Sequence, residues 1–309
     1  MVDMITFEIE NVNIEALQKL RAEGKKIFPD PDALEIIQDK GLQKEFYHNN
    51  QIPSPQFFLF KNKAEIIAAS ENGSIPFPFV QKLRKGGYDG KGVAIINSQN
   101  DFKNLLEGAS LLENLIDIQT EISVIVARNQ KGEIKCFPVV EMEFNEANMV
   151  EKLICPSSLD EKILQQANEI ATQIIASFNL CGLLAVEMFV DKNNVVWVNE
   201  IAPRPHNSGH HTIESIITSQ YEQLLRAIFN FPLGSTQLKM PSVMINLLGE
   251  PDYEGPVKYE GLTDCMKIEG VKIHLYGKKI TNLPTPSMVG ILFYQFFRCR
   301  VECLWQLSR

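Results

Sequence analysis

A pair of apolar segments, each carrying one glutamate, constrains the fold of this chain more than any other feature. Residues 183–201 alternate and turn as a β-hairpin does, with the turn predicted at residues 191–194. If the two ends of that turn face each other, Glu187 lies opposite Val198 and one step diagonal to Glu200. Both carboxylates then share one face of a largely apolar hairpin.

Two acids on one face of a buried hairpin repel each other and lose hydration unless a cation compensates them. Mg²⁺ held by one or two carboxylates and by substrate phosphates is the usual solution. Glu187 and Glu200 are therefore predicted metal ligands. The alternative is that one glutamate faces solvent or pairs with Arg204.

The rest of the 309-residue chain, of which 45% is apolar, reads as alternating helices and strands without an internal repeat. The pattern predicts strands over 4–9, 57–60, 77–83, 93–96, 121–128, 133–140, 243–247 and 272–275, and helices over 14–23, 32–49, 63–70, 99–109, 159–179 and 212–230.

Composition excludes several classes of protein. The net charge of −8 argues against a broad nucleic-acid footprint, so we expect no nucleic-acid partner. The longest apolar stretch, 288–297, falls short of the roughly 20 residues that a bilayer span needs, so we expect no membrane partner. The amino terminus has no basic leader, and a cytoplasmic protein is predicted. The six cysteines lack a C-x-x-C pair and are expected to be reduced thiols: Cys136, Cys155, Cys181, Cys265, Cys299 and Cys303.

A glycine-rich loop follows a predicted strand at residues 81–92. Glycines let backbone N–H groups turn toward a phosphate, and Lys82 can reach the same anion from the strand. The loop is not a Walker A sequence, because Gly92 rather than Ser or Thr follows Lys91. The loop is consistent with phosphate binding and with an ordinary hairpin turn, and the spacing of its residues does not distinguish these two interpretations.

The segment 202–211 directly follows the Glu200 strand and holds three of the five histidines. Pro205 and Gly209 argue against a helical zinc site within it. Its donors suit a polar, anionic substrate: Arg204, His206, Asn207, Ser208 and His210. The alternative is a loop that only caps the following helix from Ser208 or Thr212.

These three motifs, in this order, resemble the ATP-grasp superfamily and, within it, the 5-(carboxyamino)imidazole ribonucleotide synthase family of purine biosynthesis. The string N-E-I-A-P-R-P-H-N-S-G-H at residues 199–210 is the most specific part of the resemblance. Further similar strings stand at residues 6–12, 37–40, 86–92, 121–128 and 274–278. The resemblance covers roughly residues 3–280.

The resemblance implies an α+β ATP-grasp fold with a truncated amino-terminal α/β remnant. The implied domains are that remnant at 1–38, an ATP-grasp domain at 39–237 with its lid at about 60–112 and its Mg²⁺-binding core at about 113–237, and a small β-rich domain at 238–309. It also implies carboxylation of 5-aminoimidazole ribonucleotide by ATP and bicarbonate through carboxyphosphate, with release of ADP and phosphate. The implied assembly is a homodimer.

The resemblance also assigns roles to residues. Glu187 and Glu200 would bind Mg²⁺, with Mn²⁺ as an alternative. Arg204, His206, Asn207, Ser208 and His210 would face bicarbonate and the ribonucleotide, with Glu8 and Glu10 nearby. The implied ATP contacts are Lys40, Lys82, Gly87, Tyr88, Asp89, Gly90, Lys91, Gly92, Val93, Glu113, Asn114, Leu115, Ile116, Glu121, Asn199 and Glu200.

The sequence departs from the family pattern at four places. It begins at what corresponds to a late strand of the amino-terminal domain, Lys40 stands where members often carry Arg, and Phe144 stands where many carry His. From about residue 281 the family's basic run is missing, and we predict a frameshifted or divergent tail.

Two rival interpretations remain at this point. Another ATP-grasp carboxylate ligase, such as a formate-using purine enzyme or a biotin carboxylase, would share the nucleotide site, but R-P-H-N-S-G-H at residues 204–210 argues against it. A catalytically impaired nucleotide-binding fragment would bind Mg²⁺-ATP without turnover that depends on the ribonucleotide.

Overall fold

The computed structural model describes residues 2–86, 92–145, 149–249, 253–281 and 288–295. These residues form a nine-stranded and a four-stranded sheet, together with two small two-stranded sheets. No helix in these ranges is long and apolar enough to cross a bilayer. Helices packed on largely antiparallel sheets make this the predicted α+β class.

The amino-terminal unit is a β-α-β arrangement followed by two helices. Its elements are β1 (Met4–Thr6), α1 (Ile14–Ala22), β2 (Lys26–Phe28), α2 (Pro31–Ile37) and α3 (Lys40–Asn49). The two strands pair in parallel, and α1 is the crossover between them. Leu17, Ile27 and Leu34 form the centre of its small core.

The predicted single helix over 32–49 is wrong at its middle. Asp39 has an extended backbone, and its carboxylate accepts hydrogen bonds from the N–H groups of Gly41 and Leu42 at 2.9 and 3.3 Å. An aspartate in that geometry caps the start of a new helix. The chain therefore forms two helices, α2 and α3, with Asp39 at the break.

The four-stranded sheet is antiparallel, in the order β3-β6-β4-β5. Its elements are β3 (Phe57–Phe60), α4 (Lys63–Glu71), β4 (Phe79–Leu83), β5 (Val93–Ile96) and β6 (Ser110–Asn114). The predicted helix over 99–109 is wrong, because only a 3₁₀ turn forms at Gln99–Asn104. Leu105 is extended and Gly108 has a φ of +116°, and both end the helical path.

The nine-stranded sheet is the centre of the molecule, with strand order β12-β11-β7-β9-β10-β13-β17-β15 and β8 paired to β7. Its strands and the remaining elements are β7 (Ile118–Arg128), β8 (Ile134–Cys136), β9 (Val140–Phe144), β10 (Val150–Cys155), α5 (Glu161–Ser177), β11 (Gly182–Asp191), β12 (Val196–Ala202), α6 (Thr212–Ser215), α7 (Gln220–Ile228), β13 (Ser242–Leu248), β14 (Gly255–Pro256), α8 (Leu262–Met266), β15 (Val271–Leu275), β16 (Ile280–Thr281) and β17 (Met288–Gln295).

Helices cover both faces of this sheet. On one face α5 buries an apolar stripe that includes Ile163, Ile170 and Ile174. On the other face Leu224 and Ile228 of α7 belong to a second core. The sheet is therefore the layer between two hydrophobic cores.

The β11–β12 hairpin has a different register from the predicted one. The N–H of Asp191 donates to the carbonyl of Val195 at 3.0 Å, so the turn holds three residues and Asn194 takes a φ of +62°. A register shift follows, and Glu187 lies directly opposite Glu200 rather than opposite Val198. The prediction of Val198 as its partner is wrong, whereas the shared face of the two glutamates is confirmed.

The predicted helix over 212–230 is two helices, α6 and α7. Between them Ile216 forms a β-bridge with Leu238, and the Ser219 hydroxyl caps α7 by accepting the N–H of Glu222 at 3.2 Å. The backbone of Ile216 is extended, which interrupts the helical hydrogen bonds. The predicted helix over 159–179 is confirmed as α5.

The carboxy-terminal region contributes β17, which lies between β13 and β15. The sequence assigned no strand there, because this run of mostly apolar residues lacks the alternation of a half-buried strand. Residues 282–287 and 296–309 lie outside the described residues. The frameshifted or divergent tail stays a prediction.

Candidate active site

The site lies along the outer edge of β12, the last strand of the large sheet. The backbone N–H of Val198 donates to the Pro53 carbonyl at 2.8 Å, and the Val198 carbonyl accepts from the Lys44 ammonium at 3.2 Å. An edge strand needs such partners when it is covered by other elements. The edge is thus joined to α3 and to the segment before β3.

The four-stranded sheet meets this edge through one buried carboxylate. Glu113, near the end of β6, forms ion pairs with Lys44 at 2.5 Å and with Lys82 of β4 at 2.6 Å. The Lys82 ammonium also donates to the Asn199 side chain at 2.8 Å. Burial alone would raise the pKa of Glu113, but the charges of Lys82 and Lys44 outweigh it and lower that pKa to about 2.

The paired glutamates have different surroundings. Glu200 forms an ion pair with Lys40 of α3, and that ammonium outweighs the effect of burial and lowers the pKa of Glu200. For Glu187, burial and then the charge of Glu200 raise the pKa of the carboxyl group. Ionising both of these buried carboxylates costs free energy unless a further cation lies close to them.

The described residues among the predicted nucleotide contacts lie on several elements. Lys40, Lys82, Asn199 and Glu200 lie together, as described above. Glu121 of β7 has its pKa raised to about 7 by burial. Asn114 ends β6, and Leu115 and Ile116 are in the connection to β7. Gly92 accepts a hydrogen bond from the N–H of Leu83 at 2.8 Å and Val93 begins β5, whereas Gly87, Tyr88, Asp89, Gly90 and Lys91 lie outside the described residues.

The donor loop after β12 lies over the two glutamates. Arg204 forms an ion pair with Glu10, with 2.7 Å between Nε and Oε1. The His206 Nε2 lies 3.4 Å from a carboxylate oxygen of Glu187. The loop therefore connects the β11–β12 hairpin to the amino-terminal unit.

Gln220, the first residue of α7, holds the backbone of this loop. Its side-chain oxygen accepts the N–H of His206 at 2.9 Å, and its side-chain amide donates to the His206 carbonyl at 2.9 Å. The Ser208 hydroxyl is hydrogen-bonded to the hydroxyl of Ser123 on β7 at 2.8 Å. The loop is thus fixed from two elements. Neither Ser208 nor Thr212 caps α6, but the Thr212 hydroxyl accepts the N–H of Gln220 at the start of α7, at 2.9 Å.

Two histidines of the loop are neutral in the folded protein. Burial and then the charge of Arg204 lower the pKa of His206 to about 3 and that of His210 to about 4. The Nδ1 of His210 lies 2.9 Å from the Tyr221 hydroxyl and 3.1 Å from the Gln220 amide. Because that amide can only donate, Nδ1 accepts and the Nε2 of His210 carries the proton.

Three contributing residues were missed by the sequence analysis: Lys44, Gln220 and Ser123. Lys44 stands one helical turn after Lys40, so a helix beginning at residue 40 places both on one face. The predicted helix over 32–49 already places both lysines on one face, but nothing in the sequence shows that this face meets Glu113 and Val198. No sequence signal separates Gln220 or Ser123 from ordinary polar residues.

The donor set fits a hard divalent cation. Glu187 and Glu200 are directly opposed, and carboxylate oxygens are the ligands that Mg²⁺ prefers. Within the described ranges, no group of three or more His, Cys, Asp or Glu side chains is arranged to hold a metal ion. Two carboxylates suit Mg²⁺ when phosphate oxygens and water supply its other ligands.

Family models match most of the chain. The model for the ATP-grasp domain matches residues 45–221, that for the ribonucleotide synthetase preATP-grasp domain matches residues 1–38, and that for the phosphoribosylaminoimidazole carboxylase C-terminal domain matches residues 242–283. The fold and the paired glutamates therefore define an ATP-grasp protein.

Curated relatives and solved structures narrow this class. The N5-carboxyaminoimidazole ribonucleotide synthase of Synechococcus elongatus is 36% identical over 282 residues, which cover 89% of this chain and 70% of that protein. The bifunctional purine synthesis protein purC/E of Dictyostelium discoideum is 36% identical over 303 residues, which cover 90% of this chain and 29% of that protein. The chain thus spans under a third of the bifunctional relative.

Among solved structures, the N5-carboxyaminoimidazole ribonucleotide synthetase of Thermotoga maritima has a TM-score of 0.86 and 43% identity, covering 99% of this chain and 79% of its own. The synthase of Aspergillus clavatus, solved with ADP and 5-aminoimidazole ribonucleotide, has a TM-score of 0.82 and 28% identity. This match covers 95% of this chain and 77% of that chain. The chain belongs to the N5-carboxyaminoimidazole ribonucleotide synthase family of ATP-grasp proteins.

Proposed function

We propose that this chain carboxylates the amino group of 5-aminoimidazole ribonucleotide with bicarbonate and ATP, releasing ADP and phosphate in purine biosynthesis. The observation that carries the proposal is the convergence of Lys40, Lys82 and the opposed Glu187 and Glu200 beneath the donor loop. Phosphoryl transfer depends mainly on positioning and charge neutralisation, which these groups supply. The names of the relatives support the same reaction.

The nucleotide side of the site uses the cations at the β12 edge. Lys40, Lys82 and the loop at residues 87–93 hold the phosphates of ATP, the backbone of residues 113–116 lies along the adenine, and Glu121 holds the ribose. Asn199 orients Lys82 through the hydrogen bond described above. Glu187 and Glu200 hold Mg²⁺, or Mn²⁺, which neutralises phosphate charge when bound.

The acceptor side uses the donor loop. Arg204 supplies a fixed cation for bicarbonate, and Asn207 and Ser208 supply hydrogen-bonding groups. The neutral imidazoles of His206 and His210 add donors without adding charge, and the proton on His210 Nε2 is available to an anionic substrate. The ribonucleotide lies toward Glu8 and Glu10 of the amino-terminal unit.

We also propose the domain division drawn from the sequence: the amino-terminal domain at 1–38, the ATP-grasp domain at 39–237 and the carboxy-terminal domain at 238–309. A homodimer in the cytoplasm is the proposed working form. The small-molecule partners are ATP, bicarbonate and 5-aminoimidazole ribonucleotide.

The test is the rate of ATP hydrolysis with bicarbonate, measured with and without 5-aminoimidazole ribonucleotide. It is made on this chain and on a version extended at its amino terminus to the length of its relatives. We expect the ribonucleotide to stimulate hydrolysis by both. Stimulation of the extended version alone would favour a nucleotide-binding fragment, and no stimulation of either would reject the proposed acceptor.

A further inference from the structure

Lys44 is a buried cation to which the proposed reaction assigns no role. Its side chain is 2% exposed, and it lies on the face of α3 that meets both sheets. A buried lysine is costly unless its charge is compensated. The residues around Lys44 must therefore compensate its charge.

The neighbours of Lys44 form a bridge between the nucleotide lysine and the large sheet. One oxygen of Glu113 is paired with Lys44 and the other with Lys82, at 2.5 and 2.6 Å. The Lys44 ammonium also donates to the Val198 carbonyl at 3.2 Å. Lys82 in turn reaches Asn199, the next residue of β12.

This arrangement has an electrostatic consequence for Lys82. If Lys82 were the only cation at Glu113, the buried carboxylate would bind it tightly and compete with a phosphate for its charge. Lys44 is a second cation, paired with the other oxygen of Glu113, and it compensates part of the charge of that carboxylate. Burial lowers the pKa of Lys44 to about 8, against the opposing charge of Glu113, so the ammonium form persists at neutral pH.

We propose that Lys44 is a positioning residue for the nucleotide: it compensates Glu113 and thereby weakens the hold of that carboxylate on Lys82, which can then bind phosphate. The inference rests on the proposed role of Lys82 in holding ATP phosphates. It assigns Lys44 an effect on nucleotide affinity that does not require contact with the nucleotide.

The experiment measures the Kd of Mg²⁺-ADP by calorimetry for the unmodified chain, Lys44→Met, Glu113→Gln and the double variant. We expect Lys44→Met to weaken binding by about tenfold, the loss of one interaction with a charged group. The double variant is expected to recover most of this loss, because the neutral carboxamide that replaces the Glu113 carboxylate no longer sequesters Lys82. Because residues 113–116 are placed along the adenine, Glu113→Gln alone is the reference for the double variant, and adding Lys44→Met to it should change the Kd little.

Lys162→Met, which removes an exposed lysine of α5, is the matched control and should leave the Kd unchanged. A purely structural role for Lys44 predicts no recovery in the double variant, and that result would overturn the inference. If Lys44→Met does not fold, Lys44→Gln makes the same comparison, and an equal loss of affinity with and without Glu113→Gln would overturn the inference. Failure of the unmodified chain to bind Mg²⁺-ADP would instead reject the nucleotide site itself.

Discussion

At the scale of single residues, the site is a set of opposite charges brought close together. Lys40 is paired with Glu200, Lys82 with Glu113, and Arg204 with Glu10. Among the described residues, Glu187 forms no ion pair with a lysine or an arginine, and the neutral His206 lies 3.4 Å from its carboxylate. A cation bound between the opposed Glu187 and Glu200 would compensate both carboxylates.

Glu200→Gln tests this charge balance. The variant removes one of two opposed carboxylates, and we expect it to weaken nucleotide binding in the presence of Mg²⁺ by about ten- to hundredfold. The measurement is the Kd of ADP with Mg²⁺ and with EDTA. Glu143→Gln, on an exposed glutamate of β9, is the control, and Mg²⁺-dependent affinity retained by Glu200→Gln would remove Glu200 from the metal site.

At the scale of elements, the donor loop is held between β12 and α7 by Gln220. Gly209 lies so close to the Gln220 carboxamide that an added Cβ would overlap it. Gln220 is fully buried and hydrogen-bonded to His206 on both sides of its amide, so it cannot move without breaking these bonds. The glycine is required here for close packing.

Gly209→Ala is expected to destabilise the protein by about 2 kcal/mol, because it combines overpacking with buried groups left unpaired. Urea unfolding measures the change. In a Gln220→Ala background, Gly209→Ala should lower the free energy of unfolding by much less, since the overlapping carboxamide is gone. Equal costs in the two backgrounds would show that Gly209 and Gln220 act independently.

At the scale of the whole molecule, folding buries histidines in the region where the loop meets α6 and α7. His211 is 1% exposed, and its Nδ1 lies 3.1 Å from the Ser208 carbonyl. Burial lowers the pKa of His211 to about 4, from 6.5. Between about pH 4 and 6.5, His211 is therefore neutral in the folded chain and protonated in the unfolded chain.

The free energy of unfolding should fall as the pH decreases from about 6.5 to 4, because the unfolded state binds the extra proton in that window. The contribution of His211 is about 3 kcal/mol. In His211→Asn, which keeps a donor near Ser208, the decline should be shallower. His48→Asn, an exposed histidine of α3, is the control, and parallel curves for His211→Asn and the unmodified chain would contradict the prediction.

Much of the fold was predictable because it depends on local patterns. Helix α5 carries its apolar residues at helical spacing, and β11 and β12 flank a turn of polar residues. The two glutamates shared a face in both the expected and the observed register. The predictions failed at helix breaks, such as Asp39 and Ile216, where a cap or a bridge to a distant segment interrupts a continuous apolar pattern.

By itself the sequence determined the hairpin with its two glutamates and the residues of the donor loop, because periodicity and motif spacing are properties of neighbours along the chain. The class of fold followed from the resemblance of those motifs to a family. Only the tertiary structure decided that Glu187 faces Glu200 directly, that Lys44 and Lys82 share Glu113, and that Gln220 holds the loop. These contacts join residues far apart in sequence, and their geometry depends on packing between sheets and helices that no local pattern encodes.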